Sequence, residues 1–138
     1  MLNQREKKFV VAEVGWSKPI VDAINTLDEY HIYKRLGLKE VTIDGRPCLV
    51  PSGTPDNISL SRMREGKAWL DTAGKPMELH HVGGLMSSPY AVLPRDFHRG
   101  KGYFSILHPN FWMKKSAIDR KKFGPQRRAF WKAYAKLF

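Results

Sequence analysis

Four of the five histidines of this chain lie between positions 80 and 108, which constrains the fold more than any other feature. They occur as the adjacent pair His80 and His81, followed by His98 and His108. Neutral imidazole is the commonest protein ligand for zinc and related divalent ions, and it titrates near neutrality. The cluster therefore indicates a site that uses imidazole as a ligand, as a base, or as both.

The histidine pair stands at the end of a predicted strand, 77–81. Neighbouring side chains on a strand point to opposite faces, so His80 and His81 cannot easily bind the same ion in regular strand geometry. One of them can face a metal while the other faces a groove in which a water molecule is activated. The spacing alone does not say which histidine takes which part.

The balance of charge narrows the choice of partners. Lys and Arg total 24 against 13 Asp and Glu, a formal net charge of +11. Nucleic acid is the leading candidate, although an anionic membrane or an acidic protein would be attracted too.

Because Cys48 is the only cysteine, a metal would have to use His, Asp or Glu. No stretch resembles a signal peptide or approaches the roughly 20 apolar residues that span a bilayer.

The segment 1–58 is expected to hold two helices and a β-hairpin. Ser17-Lys-Pro19 predicts a helix start, with proline in the first turn. Thr26-Leu-Asp-Glu29 is typical of a capping box, and the helix that follows it should stop near Gly37. Asp44-Gly45 suits the positive backbone angles of a tight hairpin turn.

The rest of the chain is expected to complete one compact α+β domain over 1–138. A short helix over 59–67 should precede a second hairpin, in which 68–70 pairs with 77–81. The basic C-terminal segment 111–138 is predicted to be helical in pattern from Asp119 onward, with Gly124-Pro125 marking a start. Its apolar stripe should comprise Phe130, Tyr134 and Leu137. Large aromatic residues are expected in the core rather than stacked on bases, namely Trp69, Phe104, Phe111, Trp112 and Trp131.

At Glu78-Leu-His-His81 the sequence is similar to the start of the motif of colicin-type HNH nucleases. The longer string from Met63-Arg-Glu-Gly66 through Asp71-Thr-Ala-Gly-Lys-Pro-Met-Glu-Leu-His-His-Val82 resembles the LHH branch of the HNH and endonuclease VII superfamily. Later parts of that pattern follow in order, as Leu93-Pro-Arg-Asp-Phe-His98-Arg99 and Leu107-His108. The resemblance spans the motif segment 59–110, and the branch is common among bacterial polymorphic toxin domains.

The resemblance implies a ββα-metal, treble-clef-like site with one divalent ion: zinc, magnesium, manganese or nickel. His80 becomes a metal ligand, His81 the general base, and His98 and His108 the remaining ligands or phosphate contacts. Colicin-type members place their two later histidines one helical turn apart, whereas nine residues separate His98 from His108 here. These two histidines therefore cannot simply share one helix face.

Supporting roles follow for charged residues around the motif. Glu78 lies on the same strand face as His80 and could orient a ligand histidine or a nearby arginine, as a catalytic support. Guanidinium groups bind phosphate in a bidentate manner. The candidate phosphate contacts are Arg62, Arg64, Arg95 and Arg99, with Arg127 and Arg128 of the C-terminal helix left for solvent or phosphate.

The resulting hypothesis is a metal-dependent endonuclease that degrades DNA with little sequence preference, since no base-reading helix-turn-helix is evident. A ribonuclease on the same scaffold and a non-catalytic, zinc-containing nucleic-acid-binding module are the alternatives. The toxin branch implies the C-terminal domain of a longer secreted effector, delivered into the cytoplasm of a target bacterium. It also implies an acidic immunity protein in the producing cell. We expect a monomer that does not contact a membrane.

Overall fold

The computed structural model describes residues 1–100, 102–109 and 118–138. None of the helices in these ranges is long and apolar enough to cross a membrane. The core positions predicted for Phe111 and Trp112 lie outside the described residues, whereas Trp69 and Trp131 are buried as predicted and Phe104 is half-buried. The elements in chain order are α1 (Gln4–Val14), α2 (Lys18–Ala23), α3 (Leu27–Arg35), β1 (Lys39–Ile43), β2 (Arg46–Val50), α4 (Asn57–Arg64), β3 (Glu78–His81), β4 (Tyr90–Leu93), α5 (Arg95–Arg99), α6 (Tyr103–Leu107) and α7 (Arg120–Ala135).

A four-stranded mixed sheet with the order β1-β2-β4-β3 organises the fold. β1 pairs with β2 and β3 pairs with β4 in antiparallel fashion, while β2 pairs with β4 in parallel. This parallel pairing joins the N-terminal segment to the histidine motif within one sheet. The predicted α+β class is confirmed.

Two hydrophobic cores cover the two faces of the sheet. On β4, Ala91 and Leu93 join a core with the N-terminal helices, whereas Tyr90 and Val92 join a second core with α7. This alternation follows from the two-residue period of a strand, and it buries both faces of β4. The sheet is therefore a middle layer between α1–α3 with α5 and α6 on one side and α4 with α7 on the other.

The N-terminal elements follow from local capping and turn chemistry. Ser17 precedes α2 and Gly37, at φ 66°, follows α3, as predicted. The hairpin turn at Asp44-Gly45 is also as predicted, with φ 49° and 76° at the two residues. The predicted capping box forms only in part. Thr26 Oγ1 accepts from the Glu29 backbone N–H, as expected, but the Glu29 carboxylate accepts from the Asn25 backbone N–H. A complete box, Asn3 with Glu6, begins α1, a helix that the sequence analysis did not predict.

The second predicted hairpin is present only at its turn, where the Met77 backbone N–H donates to the Trp69 carbonyl, and it was wrong in the partner of the histidine strand. Residues 68–70 form no strand and make one isolated bridge, Leu70 with Pro76. β3 pairs instead with β4, across the loop 82–89, in a register that sets His80 opposite Ala91. The apolar strand β4 is buried at every position and offers backbone partners on both of its edges, whereas 68–70 offers only a short, turn-bounded segment.

The helical pattern predicted from Asp119 onward agrees with the structure, but Gly124-Pro125 does not mark the start of the helix. α7 begins at Arg120, and Pro125 lies inside it. The Asp119 side chain caps this start by accepting from the backbone N–H groups of the first turn, which a helix cannot satisfy internally. Of the predicted stripe, Phe130 and Tyr134 are buried, whereas Leu137 lies beyond the end of the helix and is 53% exposed.

Candidate metal centre

The adjacent histidines at the end of β3 point to different cores. The His80 ring lies against those of His98 and His108, with centroids 5.1 and 4.9 Å away. The His81 ring instead packs against Phe123 of α7, at 4.6 Å. Side chains alternate along a strand, and this alternation was the basis for predicting different surroundings for His80 and His81. In the structure the two histidines lie on opposite faces of the sheet.

Three histidines converge on the His80 side of the sheet. His80, His98 and His108 each offer a ring nitrogen, and these nitrogens all lie within 4.8 Å of one another. His98 comes from α5 and His108 directly follows α6, so each of the three stands on a different element. The group has the donor set of an open, three-histidine metal site, in which the protein leaves further coordination positions free.

The nine residues between His98 and His108 are accommodated by two short helices with a glycine turn between them. Gly100 ends α5, and a Cβ at this position would lie 2.1 Å from the Asp96 carbonyl oxygen, where no side chain fits. Gly102 then begins α6 with φ 87°, a left-handed conformation that favours glycine. The glycines that interrupt the motif in sequence thus turn the chain so that both histidines face His80.

Hydrogen bonds leave the Nε2 atoms of this group available for an ion. His98 Nδ1 lies 3.2 Å from Glu78 Oε1, and His108 Nδ1 lies 2.9 Å from the Phe104 carbonyl oxygen. These acceptors hold the proton on Nδ1, so that Nε2 keeps its lone pair. The Nε2 atoms of His80 and His98 are buried and have no hydrogen-bond partner among the described residues. Buried polar atoms without partners are rare in proteins, and a bound metal would satisfy both.

The electrostatic setting keeps the three imidazoles neutral. Burial lowers the pKa of His80 well below its ordinary value of 6.5, and the neighbouring imidazoles lower it further. Burial also lowers the pKa of His98 and of His108, although hydrogen bonds to Glu78 and to the Phe104 carbonyl oppose the shift. Neutral imidazole is the form that binds a metal, so the residues present fit a divalent ion.

His81 lies in an aromatic setting on the other face. It is 5% exposed, packs between Tyr90 and Phe123, and has a buried Nε2 without a partner among the described residues. Burial, with the charges of Arg46 and Arg120, lowers the pKa of His81 to about 4. The ring is therefore neutral, with the capacity to accept a proton, at neutral pH.

Glu78 connects the ligand group to an arginine. Besides its contact with His98, the Glu78 carboxylate accepts from Arg99 Nε at 2.8 Å and pairs with the Arg99 guanidinium through its other oxygen. Glu78 thus orients a histidine and an arginine together, and much of the Arg99 charge is neutralised before any substrate binds.

The other predicted arginines lie in different settings. Arg62 Nε donates to the Ala68 carbonyl at 3.0 Å and so fixes the chain after α4, while Arg64 is exposed. Arg95 is exposed in the first turn of α5. On α7, Arg127 lies over the Phe123 ring at 5.6 Å, and Arg128 is exposed. The remaining histidine, His31, is exposed on α3, away from this group in the sequence and in its contacts.

Comparison with known families shows to which family the chain belongs. A model of a nuclease family of the HNH/ENDO VII superfamily with conserved LHH matches residues 57–137. The chain belongs to this family. Neither a curated protein nor a solved structure shows significant similarity to it. The matched range of this LHH nuclease includes all four site histidines and α7, so it extends past the motif recognised in the sequence.

Two residues around His81 were not found by sequence reasoning. Phe123 packs on His81. Its place seven residues before Phe130 on one helix face was a usable signal, which was missed because Gly124-Pro125 was taken to mark the start of the helix. Arg46 donates to the carbonyls of Met86 and Ser88 and lies 4.2 Å from the Tyr90 ring centroid. Nothing local to Arg46 indicated this contact, since it joins distant parts of the sequence.

Proposed function

We propose that this nuclease is a metal-dependent endonuclease that cleaves DNA with little sequence preference, with His81 as the general base. The main observation behind this proposal is that His80 and His81, at the end of β3, lie on opposite faces of the sheet. His80 belongs to a three-imidazole group with available nitrogens, and its neighbour His81 is neutral, unpaired at Nε2 and held on the other face. Because the two histidines lie on opposite faces, His80 can bind a metal while His81 acts as a base, and the two do not compete for the same ion.

His80, His98 and His108 would hold the ion, with Glu78 and the Phe104 carbonyl fixing two of the rings. When bound, a divalent ion supplies Lewis-acid stabilisation of the charge that develops on the phosphate and the leaving oxygen. An all-imidazole donor set suits zinc or nickel better than magnesium, which prefers oxygen ligands. Zinc or nickel is therefore the ion that we propose.

The proton transfer falls to His81. Its Nε2 takes a proton from water as the water oxygen attacks phosphorus, which requires the imidazole to be neutral beforehand. The bond from phosphorus to the 3′ oxygen then breaks, and the leaving oxygen is protonated from solvent. The products carry 5′-phosphate and 3′-hydroxyl ends.

The substrate and the biological setting are inferred from charge and family. The net charge of +11 favours contact with the phosphate backbone, which carries no base sequence. We propose that Arg64, Arg95, Arg127 and Arg128, which are exposed, supply part of that contact. We further propose that the domain is the toxin of a longer bacterial effector, acts in the cytoplasm of the target cell, and is blocked by an acidic immunity protein.

Plasmid cleavage tests this function directly. Purified chain is incubated with supercoiled plasmid and with zinc, nickel, manganese or magnesium, or with EDTA, and compared with His81→Ala. His31→Ala is the matched control, because it removes an exposed histidine outside the site. We expect metal-dependent nicking that EDTA and His81→Ala abolish and His31→Ala does not. The His81→Ala protein should keep its affinity for DNA and for metal.

Other outcomes would redirect the proposal. Cleavage of RNA in preference to duplex DNA would favour a ribonuclease on the same scaffold. Binding of zinc and DNA without cleavage of any nucleic acid would favour the non-catalytic module. The toxin role is tested by expression in a bacterial cytoplasm, where the wild type should arrest growth and degrade the chromosome. If the His81→Ala protein were as toxic as the wild type, its toxicity could not be attributed to the nuclease activity.

A further inference from the structure

One face of α7 carries an arginine, a phenylalanine and a second arginine in line. Arg120, Phe123 and Arg127 are spaced by three and then four residues, so they lie along the same side of the helix. Phe123 is the middle member, and its ring packs against His81 at 4.6 Å, with Arg127 over the same ring at 5.6 Å. The middle of this stripe therefore lies against His81, and Arg120 lies one turn nearer the start of the helix.

The first turn of α7 carries charge of the wrong sign for a helix start. Arg120, Lys121 and Lys122 follow one another there, and the turn contains no acidic residue. The positive end of the helix dipole disfavours cations at these positions. The Asp119 carboxylate caps the helix by accepting from the backbone N–H groups of Lys121 and Lys122, and it offsets part of this positive charge. A phosphate group bound by Arg120 would offset a further part.

Arg120 differs from Arg99 and Arg46, whose guanidinium groups are already engaged by the protein. Arg99 is paired with Glu78, and Arg46 donates to two backbone carbonyls. Arg120 is exposed and makes no ion pair or hydrogen bond within the part of the chain that the structure describes. Phe123, one turn further along the same helix face, packs on His81, so Arg120 places a cation near that ring.

We propose that the Arg120 guanidinium binds the non-bridging oxygens of the scissile phosphate, beside His81, and is a catalytic residue of the nuclease. This inference rests on the proposed function. A planar guanidinium presents paired donors that match phosphate oxygens, and it can neutralise the charge that grows as water attacks. Removal of one such donor from a preorganised site typically lowers the turnover rate by about 10²–10³-fold.

The test compares Arg120→Gln with Lys121→Gln, which removes one exposed charge from the same turn but on a different side of the helix. The rate constant for plasmid nicking is measured with enzyme in excess, and affinity for the same DNA is measured in EDTA. We expect Arg120→Gln to lower the rate constant by about 10²-fold and to change affinity by less than about 3-fold. Lys121→Gln should change both by less than about 3-fold, and Arg120→Lys should recover only part of the rate.

Zinc titration and thermal unfolding of each variant check that the metal group and the fold are intact. Equal loss in Arg120→Gln and Lys121→Gln, or a loss confined to DNA affinity, would overturn the assignment while the nuclease proposal stands. A wild-type chain that cleaves no nucleic acid with any metal would refute the proposed function, and the role of Arg120 would fall with it. Full activity of Arg120→Gln would refute the role of Arg120 alone.

Discussion

Glu29 is a carboxylic acid placed fully inside the N-terminal core. It has no exposed surface, and its two oxygens accept hydrogen bonds from the Asn25 backbone N–H at 2.8 Å and the Tyr33 hydroxyl at 2.5 Å. Burial raises the pKa of Glu29 from 4.5 to about 7, because these two hydrogen bonds offset only part of the cost of desolvation. The folded protein therefore favours the neutral carboxyl group.

The effect on stability follows from the difference between the two states. Because the folded pKa lies above the unfolded value of 4.5, the stabilisation is fully present below pH 4.5 and is lost as the pH rises through about 7. Each pKa unit corresponds to about 1.4 kcal/mol, so the free energy of unfolding should fall by about 3 kcal/mol across this window. Above about pH 8, Glu29 contributes no further change.

Glu29→Gln isolates this contribution, because glutamine has nearly the same shape and stays neutral. Urea unfolding of both proteins in EDTA is measured from about pH 4.5 to about pH 8, so that groups common to both cancel in the difference. The wild type should lose about 3 kcal/mol relative to Glu29→Gln over this range. A difference constant to within about 0.5 kcal/mol would refute the account of Glu29 as a buried carboxyl that resists ionisation.

Two further substitutions test the site and its scaffold. Glu78→Gln should weaken zinc binding by about 10–100-fold, since it loosens the ring of His98, and unchanged affinity in calorimetric titration would contradict that role. Gly66→Ala should destabilise the fold by about 1–3 kcal/mol, because Gly66 has φ 83° and the added Cβ would lie 3.2 Å from Arg128 Cβ. Gly53→Ala, whose Cβ would meet nothing within 4 Å, is the control in urea unfolding, and equal effects of the two would count against the packing argument.

Local chemistry made much of the fold predictable. The hairpin at Asp44-Gly45 and the α2 start at Ser17-Lys-Pro19 depend on residues within a few positions of each other, and both are as predicted. The pairing of β3 was wrong because strand pairing is chosen over the whole sheet. β4 is held by β2 on one edge and so presents the other to β3, which no signal in 68–81 reveals.

The candidate site also depends on packing between elements, which the sequence did not predict. The four histidines were recognisable by residue type and by motif, but their spacing gave no way to place His108 beside His80. That placement depends on the left-handed conformation of Gly102 and on a position, Gly100, where a side chain has no room. The sequence shows both glycines as breaks, whereas the direction in which the chain turns there is a property of the packed helices.

The support of the site reaches beyond the residues that define the family. β2 and Arg46 precede the matched range 57–137, yet β2 pairs with β4, the strand that pairs with the histidine strand β3. Arg46 also donates to the Met86 and Ser88 carbonyls, in the loop between these strands, and lies over Tyr90, which packs on His81. The N-terminal segment is therefore part of the framework that orients His81, even though every residue that we expect to contact phosphate or metal lies within the matched range.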